Sequence, residues 1–206
     1  MRPSDNKIYL ASKSPRRREL LRQIGVEFEL LLLRDRAPVG PEVNEAVLPD
    51  ETPLAYVARV ASDKAGFAQK SMLWRRLPIR PVLAADTTVE VDGRILAKPG
   101  SVAEAMGMLT LLAGRTHLVH TSVAVRFNDE SLQVTQSSEV AFAEITLAQM
   151  AAYAASAEPH DKAGGYAVQG MAALFIREIA GSYSGIMGLP LFETAQLLQQ
   201  AGVKIL

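Results

Sequence analysis

The run Pro81-Val82-Leu83-Ala84-Ala85 constrains the fold more than any other stretch, because it ends in a carboxylate, Asp86, and continues as Thr87-Thr88-Val89. A short apolar run of this kind reads as a buried strand. A carboxylate there is costly to desolvate unless a cation, a metal or hydrogen bonds compensate it. Asp86 is therefore either a structural group paired with an arginine inside the fold, or a working acid, base or metal ligand. Burial alone leaves both readings open.

The chain has 206 residues, enough for one sizeable domain or two small lobes. Its 22 basic and 22 acidic residues cancel, so no global field favours nucleic acid or an anionic membrane. Any anion site must come from local clusters. With no cysteine, disulfides and thiolate chemistry are excluded. No apolar stretch reaches the length of a membrane span, and Met1–Lys7 lacks a signal-peptide core. The expectation is a cytoplasmic protein without nucleic-acid or membrane partners.

Local signals divide the chain. Lys7–Ser12 reads as a strand, and Ser14-Pro15 as a cap followed by proline at the first helical position. That helix stops at Gly25. Phe28–Leu33 reads as a strand and residues 34–53 as a loop. A helix capped by Thr52 is expected to run to about Lys70. Strands Val82–Val91 and Arg94–Ala97 flank Asp92-Gly93, a hairpin signal. Ser101-Val102-Ala103-Glu104 and Thr146-Leu147-Ala148-Gln149 are capping boxes. Between them, Arg115–Phe127 and Leu132–Phe142 read as strands around Asn128-Asp129. Gly164–Gly170 reads as a glycine-rich turn into a strand Ala172–Ile179, and a last helix spans Leu191 to Ala201. The short loops between residues 82 and 142 predict antiparallel pairing, so the class is mixed α/β without a purely parallel sheet.

Three blocks could carry chemistry. In Ser12-Lys13-Ser14-Pro15-Arg16-Arg17-Arg18, three arginines load a helix N-terminus that is already partly positive. That is locally unfavourable by about 0.3–1 kcal/mol per charge, and a bound anion reverses the sign. Free N–H groups, hydroxyls and guanidiniums make a phosphate site; the alternative is a solvated basic face paired, for example, with Glu19. Asp86 is the second block, with Lys98 beyond the hairpin and Lys64 on the second helix as possible phosphate partners. Read alone, each lysine is a surface group, and Glu45 is an ordinary loop residue. The third is Gly164–Gly170, whose Gln169 offers both a donor and an acceptor to a base edge; a plain tight turn is the alternative. His117 and His120 fall on opposite faces of one strand, and with His160 are assigned to structure or surface. Trp74 is expected to pack locally, and Ser182–Gly185 could be only a loop.

Taken together and in order, these blocks resemble the Maf family of nucleoside triphosphate pyrophosphatases. The matching stretches are Leu10-Ala11-Ser12-Lys13-Ser14-Pro15-Arg16-Arg17, Ala85-Asp86-Thr87-Thr88-Val89, Lys98-Pro99 and Gly114-Arg115-Thr116-His117, then Lys162–Gly170, Gly181-Ser182-Tyr183-Ser184 and Gly188-Leu189-Pro190-Leu191. They cover nearly the whole chain as a single domain, 1–206. The resemblance implies a two-lobed, twisted mixed sheet flanked by helices, similar to inosine triphosphatases, with the active-site cleft between lobes.

The resemblance further implies hydrolysis of a nucleoside triphosphate to its monophosphate and pyrophosphate, with Mg²⁺ or Mn²⁺ required. Asp86 would be the general base and a metal ligand. Ser12, Ser14, Arg16, Arg17, Glu45, Lys64, Thr87, Lys98 and Gln169 would bind substrate. Arg16, Thr87 and Gln169 are similar to the dTTP/UTP-hydrolysing branch, so dTTP, UTP and modified pyrimidine nucleotides are the implied substrates. A homodimer is implied as well. The alternative is a nucleotide-binding regulator of septum formation without significant catalysis. Departures from the family pattern are Lys13, Leu118, Ala167 and Gly185-Ile186-Met187; none removes a catalytic group.

Overall fold

The structure is a computed structural model that describes residues 5–32 and 43–206. The expected loop at 34–53 is therefore described only from residue 43, and Leu33 lies outside the described residues. The strands are β1 (Lys7–Leu10), β2 (Glu27–Leu30), β3 (Val82–Val91), β4 (Arg94–Leu96), β5 (Thr116–Phe127), β6 (Glu130–Phe142) and β7 (Ile176–Ala180). The helices are α1 (Pro15–Gln23), α2 (Pro53–Trp74), α3 (Val102–Leu112), α4 (Leu147–Ala154), α5 (Tyr183–Met187) and α6 (Leu191–Gln200).

One mixed sheet carries the described chain, in the order β2-β1-β3-β5-β6-β7 with β4 on the end of β3. β1 runs parallel to β2 and β3; every other pair is antiparallel. The β3–β4 hairpin turns at Asp92 and Gly93, both at positive φ, as an Asp-Gly pair permits. Among the described residues no helix is long and apolar enough to cross a membrane.

Strand alternation sorts the core. Odd-numbered residues of β3 and β5 face one side. Leu83, Ala85, Val123 and Val125 pack there with Leu20 and Leu21 of α1 and Leu197 and Leu198 of α6. Further along the same face, Val89, Val91 and Val119 pack with Leu109, Phe142, Tyr153 and Tyr166 in a second cluster. On the opposite face Val82, Ala84 and Ala124 pack under α2 through Ala61, Ala65, Ala68 and Met72. Small alanines let that long helix lie close on the sheet. Each fully buried leucine or valine contributes about 1.5–3 kcal/mol.

The two clusters on the odd face do not merge. Thr87 and Thr121, register partners on β3 and β5, lie between them. Two lobes thus share their strands and are divided by a polar seam.

The helix starts follow their caps. Ser14, Thr52, Ser101 and Thr146 each accept a backbone N–H of the first turn. The Thr146 box is reciprocal, whereas Glu104 turns away from Ser101 to accept from the Gly100 N–H. Three expectations need correction. The segment Met171–Leu174 is a 3₁₀ turn, so the strand expected from Ala172 begins only at Ile176. Ser182–Gly185 opens the short helix α5, with Ser182 as its cap. Trp74 is 59% exposed at the end of α2, not packed.

Candidate active site

A cleft of about 1050 Å³ opens where the apolar clusters part. All ten residues expected at a site line it: Ser12, Ser14, Arg16, Arg17, Glu45, Lys64, Asp86, Thr87, Lys98 and Gln169. They converge because β1 ends beside the apolar start of β3. The loop after β1 delivers Ser12 to Arg17, and β3 continues past its apolar half to Asp86 and Thr87.

Asp86 and Thr87 point to opposite sides of the sheet, and their surroundings differ accordingly. Asp86 is 8% exposed. Its Oδ1 accepts from Lys64 Nζ at 2.9 Å, and the same ammonium lies 3.1 Å from Oε2 of Glu45. The buried carboxylate is thus compensated by a lysine of α2, not by an arginine. Lys64 is drawn out of its expected surface role, and Glu45 is more than an ordinary loop residue. Oδ2 of Asp86 has no partner among the described residues.

On the other side, Arg17 is fixed by three contacts. Nε donates to the Gly188 carbonyl at 2.7 Å, one terminal nitrogen to Ser12 Oγ at 3.3 Å and the other to Thr87 Oγ1 at 3.2 Å. The residue is half-buried by area, yet protein encloses its guanidinium. Burial pulls its pKa below the usual arginine value, the Asp86 charge opposes that pull, and Arg16 adds to it; the group stays a cation. Thr87 Oγ1 lies 2.9 Å from Thr121 Oγ1, and Thr121 donates to the Gly185 carbonyl at 2.7 Å. The hydroxyl of Thr121 is thereby committed, so Thr87 donates to it and accepts from Arg17. This chain spans the seam between the lobes. Gly188, at φ +116°, closes it in a left-handed conformation that favours glycine.

Other residues keep free functional ends. Arg16 has no hydrogen-bond or ion-pair partner among the described residues, and the Glu19 pairing considered above does not form. Lys98 and Gln169 are exposed at the cleft mouth. Lys162 and Asp161 form an ion pair on the cleft wall. The histidines do face opposite ways. His117 Nε2 meets Tyr166 Oη at 2.7 Å inside one cluster, and burial alone pulls its pKa to about 4. His120 lies between Glu90 and Ser137.

Sequence reasoning missed Thr121, whose role depends on strand register, and the Gly188 carbonyl, whose role depends on a contact 171 residues away. No local signal could have found either. The acidic pair at Lys64 bears on cation binding. Among the described residues no group of three or more histidine or acidic side chains could hold a metal. Two carboxylates that share one ammonium do fit Mg²⁺, which takes one or two carboxylates and completes its shell with phosphates and water.

The family profile described as Maf-like protein matches residues 7–201. A Nitrosomonas europaea protein named dTTP/UTP pyrophosphatase is 48% identical over 203 residues, 98% of each chain. Proteins of the same name from Ralstonia nicotianae and Burkholderia lata are 52% and 53% identical, covering 96% and 95% of this chain and 95% and 93% of theirs. Among solved structures, the Staphylococcus aureus Ham1 protein matches with a TM-score of 0.46 at 17% identity, covering 67% of this chain and 72% of that one. With a family profile over 7–201 and half-identical, near full-length relatives, this chain belongs to the Maf family.

Proposed function

We propose that the protein hydrolyses dTTP and UTP to the monophosphate and pyrophosphate; its half-identical relatives carry the name dTTP/UTP pyrophosphatase. The observation that carries this reading is the placement of the Asp86 carboxylate in the same cleft as the Ser12–Arg17 loop, Lys98 and Gln169. A pure binding site needs the cations but not a desolvated carboxylate beside them, so the regulator of septum formation is the weaker reading. The described sheet is continuous, which supports one catalytic domain.

In the mechanism, the triphosphate lies against the N-terminus of α1. Ser14, Arg16 and Lys98 hold its oxygens, and Arg17 keeps the loop in place. Oδ2 of Asp86 takes a proton from the water that attacks the α-phosphorus. The P–O bond to the β-phosphate breaks, and pyrophosphate leaves with its charge balanced by the basic groups. Lys64 holds Oδ1 of Asp86 and fixes the carboxylate plane. Gln169 meets the pyrimidine edge as donor and acceptor. A divalent cation, Mg²⁺ or Mn²⁺, would be held by Asp86 and Glu45 and would supply charge neutralisation at the phosphates. Positioning accounts for most of the rate, because little covalent chemistry falls to the protein.

A nucleotide panel with Mg²⁺ or Mn²⁺ tests this reading. Pyrophosphate release from dTTP and UTP ahead of purine nucleotides is expected; release of orthophosphate, or a purine preference, overturns it. A homodimer and a cytoplasmic location belong to the same proposal. Light scattering on the purified chain and fractionation of its host cell check them.

A further inference from the structure

Gln169 stands on a turn whose support comes from one side chain outside the cleft, Glu158. Its carboxylate accepts from the Tyr153 hydroxyl at 2.8 Å, the Met171 N–H at 2.8 Å and the Ala172 N–H at 3.2 Å. Its own carbonyl accepts from Lys162 Nζ at 2.7 Å. These bonds tie α4 to both ends of the glycine-rich block. They also hold Met171–Leu174 in its 3₁₀ turn, where the sequence alone predicts strand from Ala172. Burial pushes the Glu158 carboxyl up, but the Met171 N–H, the Tyr153 hydroxyl, the Ala172 N–H and Lys162 together hold it below the usual carboxylate range.

Gly170 confirms how close the carboxylate comes. Its φ of −109° is open to any residue, so conformation does not demand glycine there. An added Cβ would instead lie inside the van der Waals radii of both Glu158 oxygens. The residue after Gln169 is small because Glu158 occupies the space.

We infer that Glu158 is a positioning residue for base recognition: it fixes the turn from Gly170 to Leu174 and so sets where Gln169 meets the pyrimidine. The inference rests on the proposed role of Gln169. Glu158 touches no substrate; it acts through the backbone that carries the reader. A carboxylate that receives three donors is suited to this work, because charged hydrogen bonds are stronger than neutral ones and the turn Gly170-Met171-Ala172-Ala173-Leu174 has no polar side chain of its own to fix it.

The test uses the full chain with Glu158→Ala, Glu158→Gln, Gly170→Ala, Gln169→Ala and the double variant Glu158→Ala/Gly170→Ala. Amide hydrogen exchange at Met171 and Ala172 is read beside the ratio of kcat/KM for UTP to that for CTP, which differ at one base edge. Glu158→Ala is expected to speed exchange at those two amides about tenfold or more, with β3 and β5 unchanged. It should lower the UTP/CTP ratio about tenfold through KM, with kcat nearly kept. Glu158→Gln, which keeps one acceptor, should lie between and remains informative if the alanine variant does not fold. Gly170→Ala should behave like Glu158→Ala, and the double variant should be no worse than either, since the clash disappears with the carboxylate.

Unchanged exchange at Met171 and Ala172 overturns the anchoring role. Faster exchange with an unchanged ratio overturns the link to recognition, provided Gln169→Ala lowers the ratio. A ratio unmoved by Gln169→Ala shows instead that the reading of Gln169 has failed, and the link falls with it. A parallel loss for UTP and CTP, in kcat as much as KM, makes Glu158 merely structural.

Discussion

Two adjacent residues of one strand, Asp86 and Thr87, face opposite sides of the sheet and have opposite kinds of neighbour. Among the described residues Asp86 has one partner, Lys64, and that lysine is shared with the exposed Glu45. Thr87 sits in a fixed chain from Arg17 through Thr121 to the Gly185 carbonyl. The first side keeps a carboxylate oxygen for chemistry. The second has its hydrogen bonds made and holds two lobes in register. A strand that crosses from an apolar core into a cleft can thus supply a reactive group on one face and a hinge-free joint on the other, because successive side chains alternate.

The largest effect that would sharpen this contrast is expected at Asp86. Asp86→Asn keeps shape and removes the proton acceptor, so turnover should fall about 10²–10⁴-fold. Circular dichroism and the melting temperature should stay near wild type. Turnover within a few-fold of wild type would break the comparison.

The neighbouring arginines come next. Arg16→Ala removes a cation with no partner among the described residues, and kcat/KM should fall about 10-fold or more with the melting point held. Arg17→Ala also strips donors from Gly188, Ser12 and Thr87, so it should cost stability as well, by about 2–4 kcal/mol in denaturant unfolding. Equal stability loss in both variants would remove the distinction between holding substrate and holding the fold.

A pH effect follows from His117. Burial depresses its pKa from 6.5 to about 4, so the unfolded chain binds a proton there that the native state refuses. Unfolded protons exceed native ones between those two values, and stability falls as pH drops through that window. The loss is on the order of 3 kcal/mol, and it is fully absent above about pH 6.5. His117→Phe should flatten that part of the stability–pH curve in urea titrations; an unchanged slope would assign the acid sensitivity elsewhere.

The smallest effect is expected at Thr121. Thr121→Val keeps the volume but breaks the link between Thr87 and the Gly185 carbonyl, for about 1 kcal/mol of stability and a few-fold loss in kcat/KM. Thr121→Ser should restore both. A valine variant with wild-type stability would show that the seam does not need this bond.

Much of this was legible because its causes are local. Ser14, Thr52, Ser101 and Thr146 cap helices by bonding residues three positions away, and the Asp92-Gly93 turn needs only its own backbone. Strand Val82–Val91 could be read from apolar content at one end and valines at the other. Eight of the ten expected site residues fall in the Maf-like stretches, and the fold brings those eight together with Lys64 and Glu45 on one cleft. Features that depend on distant partners were not legible. Ala172–Leu174 reads as the start of a strand, but Glu158 takes the Met171 and Ala172 N–H groups and the segment Met171–Leu174 is a 3₁₀ turn. Lys64 reads as a surface lysine until α2 is laid on β3, where it becomes the partner of Asp86. The pairing of Thr87 with Thr121 appears only once β3 and β5 are in register.

The most direct test measures dTTP binding by calorimetry and pyrophosphate release in the same preparations of wild type and Asp86→Asn. The account predicts binding within a few-fold of wild type and release lowered by about two orders of magnitude or more. Release that stays near wild type, or release and binding lost together, would contradict the assignment of Asp86 as the group that activates water.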